Sequence, residues 1–95
     1  MKAELLIHDK VKDEYGGIVE VKVWSVSKTE DKPHGFKYSL VYVKYDKRLI
    51  GYDNAEGKGD HRHYRDKETS YKFAGIDKLF EDFFRDLKEV KKDES

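Results

Sequence analysis

The chain has 95 residues, enough for one domain spanning residues 1–95 and too few for two independent cores. It has no cysteine, which excludes disulfide staples, thiolate zinc sites and thiol nucleophiles. Its first apolar run, Leu5 to Ile7, is too short for a signal-peptide core or a membrane span, so a cytoplasmic protein is expected. Twenty basic residues balance twenty acidic ones, and the balance hides an asymmetry. Residues 32–72 carry ten Lys and Arg against six Asp and Glu, plus three of the four histidines, while each flank is acidic. A basic middle suits a phosphate-bearing partner, although a solvated surface would look the same.

Ala3 to Lys12 reads as a first strand, closed by the turn Asp13-Glu14-Tyr15-Gly16-Gly17. Ile18 to Val26 is a second strand, with Val19, Val21 and Val23 alternating with Glu20 and Lys22. A polar loop with the only proline leads to a third strand, Phe36 to Tyr45, apolar on both faces at its centre. A tight turn at Asp46-Lys47 leads into Arg48 to Asp53, and Asn54 to Asp60 forms a glycine-bearing loop. His61 to Arg65 resumes an extended chain, and Tyr71 to Phe73 offers a last short strand. From Ile76 the period changes. Ile76, Leu79, Phe80, Phe83, Phe84, Leu87 and Val90 fall three and four apart, the stripe of an amphipathic helix. Gly75 suits its N-cap, Asp77 its first turn, and Lys91 and Lys92 its last. The expected fold is α+β: an antiparallel meander of five to six strands with one long C-terminal helix packed on one face.

The segment from Asp53 to Tyr64 holds the densest functional chemistry. Gly57 and Gly59 flank Lys58, so backbone amides can turn toward an anion beside a full positive charge. His61 and His63 follow at i and i+2, which on a strand puts both imidazoles on one face about 6–7 Å apart. Asp60 and Arg62 then point to the other face. Two imidazoles flanking a phosphodiester suit RNA cleavage without a metal or other cofactor, one taking the 2′-hydroxyl proton and one supplying the leaving oxygen. Lys58 with Arg62 or Arg65 would stabilise the transition-state charge. Three other readings stand beside this one: exposed strand histidines with no role, a non-catalytic RNA- or protein-binding module, and a metal-dependent hydrolase. In the last, His61 and His63 are ligands and His34, Asp53 or Asp60 completes the set. Tyr38, Tyr42, Tyr52 and Tyr64 could stack on bases, although core packing is the commoner use of sheet tyrosines.

HGFKYSLVYV, then RLIGYDNAEGKGDHRHY, then IDKLFEDFFRDLKEV resembles, in this order, the TumE-type toxins of prokaryotic toxin–antitoxin modules. The match runs from about Ala3 to Val90, and GKGDHRH is its specific part. The resemblance implies a toxin neutralised by an antitoxin encoded nearby. It marks His34, Gly35, Tyr38, Tyr52, Asp53, Asn54, Gly57, Lys58, Gly59, Asp60, His61, Arg62 and His63. It transfers no chemistry, so an endoribonuclease acting on RNA rests on the histidine pair. That reading gives catalytic roles to His61, His63, Lys58, Asp60, Arg62 and His34. Substrate contacts fall to Gly57, Gly59, Arg65, Tyr38, Tyr52, Asp53, Asn54 and Tyr64. An exposed edge strand could pair with a second copy or with the antitoxin.

Overall fold

A computed structural model describes residues 3–30, 32–54 and 59–94. Six strands follow one another as a meander: β1 (Glu4–Lys12), β2 (Ile18–Ser25), β3 (Phe36–Lys44), β4 (Lys47–Asp53), β5 (His61–Tyr64) and β6 (Lys67–Ser70). Each is antiparallel to the one before it, and spatial order equals chain order. The chain closes with helix α1 (Ile76–Glu94). The expected α+β architecture is therefore the observed one, with two local differences. The turn after β3 uses Tyr45 and Asp46, both in the left-handed region at φ 55° and 60°, which matches the twist of a two-residue hairpin. The last strand is Lys67–Ser70 rather than Tyr71 to Phe73. Arg65, at φ 55°, reverses the chain immediately after Tyr64, so the polar run KETS takes the pairing positions. Tyr71 and Phe73 pack instead, Tyr71 edge-on to Tyr52 and Phe73 against Tyr38.

One face of the sheet carries the core. Val21, Val23, Tyr38, Leu40, Tyr42, Ile50 and Tyr52 meet Leu79, Phe83, Leu87 and Val90 of α1, and all are buried. Burying the apolar stripe of this 19-residue helix against the sheet supplies most of its stability. Gly75, at φ 103°, starts it, its carbonyl accepting from the Leu79 N–H at 3.0 Å.

A polar row runs beside that apolar stripe. Asp82, Asp86 and Glu89, at i, i+4 and i+7, take hydrogen bonds from the hydroxyls of Tyr71, Tyr52 and Tyr64. Burial and then the carboxylate acceptor raise the pKa of Tyr52 and Tyr71 well above the ordinary value, so both stay protonated donors. The opposite face bears no helix. Its β1–β3 part is mixed, with His8 on Glu20 at 3.0 Å and Lys37 over the Trp24 ring beside Ile18, Val41 and Val43.

Candidate active site on the helix-free face

Cross-strand register fixes which side chains share this face. Asp53 is paired with His61, Gly51 with His63, and His63 in turn with Glu68. Because side chains alternate along a strand, Asp53, His61, His63 and Glu68 all project away from the helix. Arg48 joins them through a bulge. Tyr42 pairs with Ile50 but Val43 pairs with Arg48, leaving Leu49 as the extra residue. Strict alternation from Ile50 would aim Arg48 at the helix side; the bulge turns it over. Gly51 then gives it room, since a Cβ there would lie 3.0 Å from Arg48 Cδ and 3.6 Å from His63 Cβ.

The two imidazole centroids are 5.2 Å apart and nearly perpendicular. His61 Nε2 is 2.8 Å from Asp53 Oδ1 and 3.5 Å from Glu68 Oε2, while its Nδ1 is 3.2 Å from the Gly59 carbonyl. Among the described residues, the groups at this ring's nitrogens are all acceptors, so the ring can donate from both. His63 is arranged differently. Arg48 Nη2 lies 3.0 Å from Nδ1, and because a guanidinium only donates, Nδ1 must accept. Nε2 of the same ring, which then bears the proton, sits 3.0 Å from Glu68 Oε2. Burial holds the His63 pKa below the ordinary histidine value, with Arg48 adding to the effect and Glu68 opposing it. The pair is thus split into a donor ring and a neutral ring. Arg48 also lies 4.0 Å from Asp53 Oδ2. A shallow cavity of about 250 Å³, lined by Asp60, His61, Glu68, Thr69 and Ser70, opens beside His61.

Other residues singled out in the sequence lie elsewhere. His34 and Tyr38 both bond Asp60 Oδ2, at 2.9 and 2.6 Å, on the side opposite the histidine pair. His34 Nδ1 accepts from the Phe36 N–H, and its ring packs on Phe73 at 4.0 Å. Tyr38 and Tyr52 are fully buried. Arg62 faces the helix, its Nε 2.7 Å from Asp86 and 3.1 Å from the Tyr52 hydroxyl. The hydrogen bond it donates to Asp86 raises its pKa above the ordinary arginine value. Asn54, also fully buried, accepts from the Tyr38 N–H and donates to the Phe36 carbonyl, fastening the ends of β3 and β4. Tyr64 bonds Glu89, and Arg65 lies 3.9 Å from Asp93. Gly57 and Lys58 lie outside the described residues.

The structure therefore brings Asp53, His61 and His63 together, with the Gly59 carbonyl behind His61. It adds two residues that sequence reasoning missed, Arg48 and Glu68. The signal for Glu68 was present, since a two-residue turn at Arg65-Asp66 puts position 68 opposite position 63. No periodic signal marked the bulge that delivers Arg48.

The family model described as Toxin TumE matches residues 2–91, nearly the whole chain. The chain belongs to the TumE toxin family. Membership gives it a toxin role, and the family's role implies an antitoxin partner. No curated protein and no solved structure matches the chain. Among the described residues, no helix is long and apolar enough to cross a membrane.

Proposed function

We propose that this TumE-family toxin is a cytoplasmic endoribonuclease whose working site is the Arg48, Asp53, His61, His63, Glu68 cluster. The observation that carries the reading is the split between the two rings: among the described residues the groups at the His61 nitrogens are all acceptors, while His63 holds a lone pair at Nδ1. In the reaction, Arg48 turns from His63 to a non-bridging phosphate oxygen, freeing Nδ1 to take the proton of the 2′-hydroxyl. The 2′-oxygen bonds to phosphorus, and the bond from phosphorus to the 5′-oxygen breaks. Protonated His61 gives its Nε2 proton to that leaving oxygen, yielding a 2′,3′-cyclic phosphate and a 5′-hydroxyl. Glu68, whose side chain is 46% exposed, is the group the phosphate displaces. Asp53, which holds the His61 Nε2–H in the free protein, yields it to the leaving oxygen; its nearby charge stabilises the protonated ring, while the Gly59 carbonyl on Nδ1 keeps the ring oriented.

The first role of a cation thus passes to Arg48, because Arg62 is committed to Asp86. Purified protein is expected to cleave RNA in excess EDTA, with His61→Ala or His63→Ala lowering the rate by roughly 10²–10⁴-fold. Turnover at the wild-type rate in both variants rules the reading out. Salt-sensitive RNA binding without product would point instead to a non-catalytic module.

A further inference from the structure

We propose that Asp53, His61, His63 and Glu68 also bind one divalent transition-metal ion, with Zn2+ the best chemical fit, and that the bound ion silences the histidine pair. The silencing rests on the acid–base reading above; the binding does not.

The donor atoms of Asp53, His61 and His63 all lie within 4.8 Å of one another. Glu68 Oε2 is 3.0 Å from one imidazole Nε2 and 3.5 Å from the other, and Asp53 Oδ1 is 2.8 Å from His61 Nε2. A tetrahedral ion with bonds of ~2.0–2.1 Å needs donors roughly 3.3 Å apart, a value these three spacings bracket. Three paired strands already hold the donors in register, so drawing the remaining spacings in from up to 4.8 Å is left to side-chain rotation. Two imidazoles with two carboxylates favour a borderline ion such as Zn2+ over Mg2+, which prefers octahedral oxygen and keeps its waters. The Gly59 carbonyl holding His61 Nδ1 is the kind of outer partner that keeps Nε2 aimed at an ion.

Arg48 opposes the ion on two counts. Its charge repels the cation. Its hydrogen bond also requires a bare His63 Nδ1, whereas a ring ligating through Nε2 carries its proton on Nδ1. Ion and guanidinium therefore compete for the same ring. With metal on both Nε2 atoms, His63 Nδ1 has no lone pair for a 2′-hydroxyl proton and His61 has no Nε2 proton to give.

The test is calorimetric titration of ZnSO₄ and of MgCl₂ into untagged protein, with cleavage assayed in parallel. One Zn2+ per chain is expected, and no Mg2+. His61→Gln or His63→Gln should weaken Zn2+ at least tenfold, and His8→Gln and His34→Gln should leave it unchanged. Arg48→Gln should tighten it several-fold, a gain that adventitious surface histidines would not produce. Absence of Zn2+ binding, or binding kept in the His61→Gln/His63→Gln double variant, overturns the site, and EDTA-resistant cleavage would still stand. Saturating Zn2+ should stop cleavage, and EDTA should restore it. Should Zn2+ bind and cleavage rise, the site holds and the acid–base reading fails.

Discussion

Two arginines on neighbouring strands have opposite assignments, and the difference is decided by the face each side chain occupies. Arg62 Nε bonds Asp86, whose side chain is 2% exposed. Removing Arg62 leaves the buried Asp86 carboxylate with the Tyr52 hydroxyl and the more distant, exposed Arg85 at 3.6 Å, so Arg62→Ala is expected to cost about 2–3 kcal/mol in urea unfolding. Cleavage per folded molecule should change little. Arg48 is 42% exposed and anchors nothing in the core. Arg48→Gln should leave stability within about 0.5 kcal/mol while lowering turnover at least tenfold. Gly51→Ala is the subtler probe. The new methyl would press on Arg48, whose flexible chain yields and moves out of reach of the phosphate position. Lost activity with an unchanged melting temperature is expected, and a fully active Gly51→Ala protein would show that the reach of Arg48 over Gly51 is not used.

Among the elements, the β1–β2 turn does more than connect two strands. Asp13 accepts from the Tyr42 hydroxyl and from the N–H groups of Tyr15 and Gly17, with Lys91 of α1 at 3.4 Å. Partial burial works against its ionisation, but these partners outweigh it and bring the pKa to about 2. The folded value lies below the ordinary 3.8, so Asp13 contributes stability that is complete above about pH 4. That contribution, about 1–2 kcal/mol, is lost as the pH falls from 4 toward 2. Asp13→Asn should flatten the stability curve over that window, as read by unfolding midpoints at pH 7, 4 and 3. The same turn is closed against a side chain at Gly17, where a Cβ would overlap the Tyr42 ring and hydroxyl. Gly17→Ala is expected to cost about 1–3 kcal/mol through overpacking. An unchanged midpoint would mean the turn shifts freely to admit the methyl.

Over the whole molecule, the sheet and helix divide the labour between two faces. Residues facing α1 hold the molecule together, and residues facing away carry the proposed working site. Much of this plan is legible in the residues themselves. Alternation in Val19 to Val23 marks a half-buried strand, the three-four stripe from Ile76 marks the helix, and the i, i+2 spacing puts His61 and His63 side by side. Alternation does not say which of the two faces the helix covers. For that reason Tyr38, Tyr52 and Arg62 look like ligand contacts in the sequence and turn out to be packed beneath or against α1. One departure from regular geometry hides Arg48, the bulge at Leu49 that reverses it, whereas Glu68 follows from the tight turn at Arg65-Asp66 once the strand after it is taken as Lys67–Ser70.

The most direct test is to map RNA 5′ ends in cells expressing His61→Ala, His63→Ala or His34→Ala beside the wild-type protein, at matched levels of folded protein. New 5′-hydroxyl ends are expected with the wild-type and His34→Ala proteins and not with the other two, with growth arrest following the same division. Ends that persist in His61→Ala and His63→Ala but vanish in His34→Ala would contradict a working site on the helix-free face.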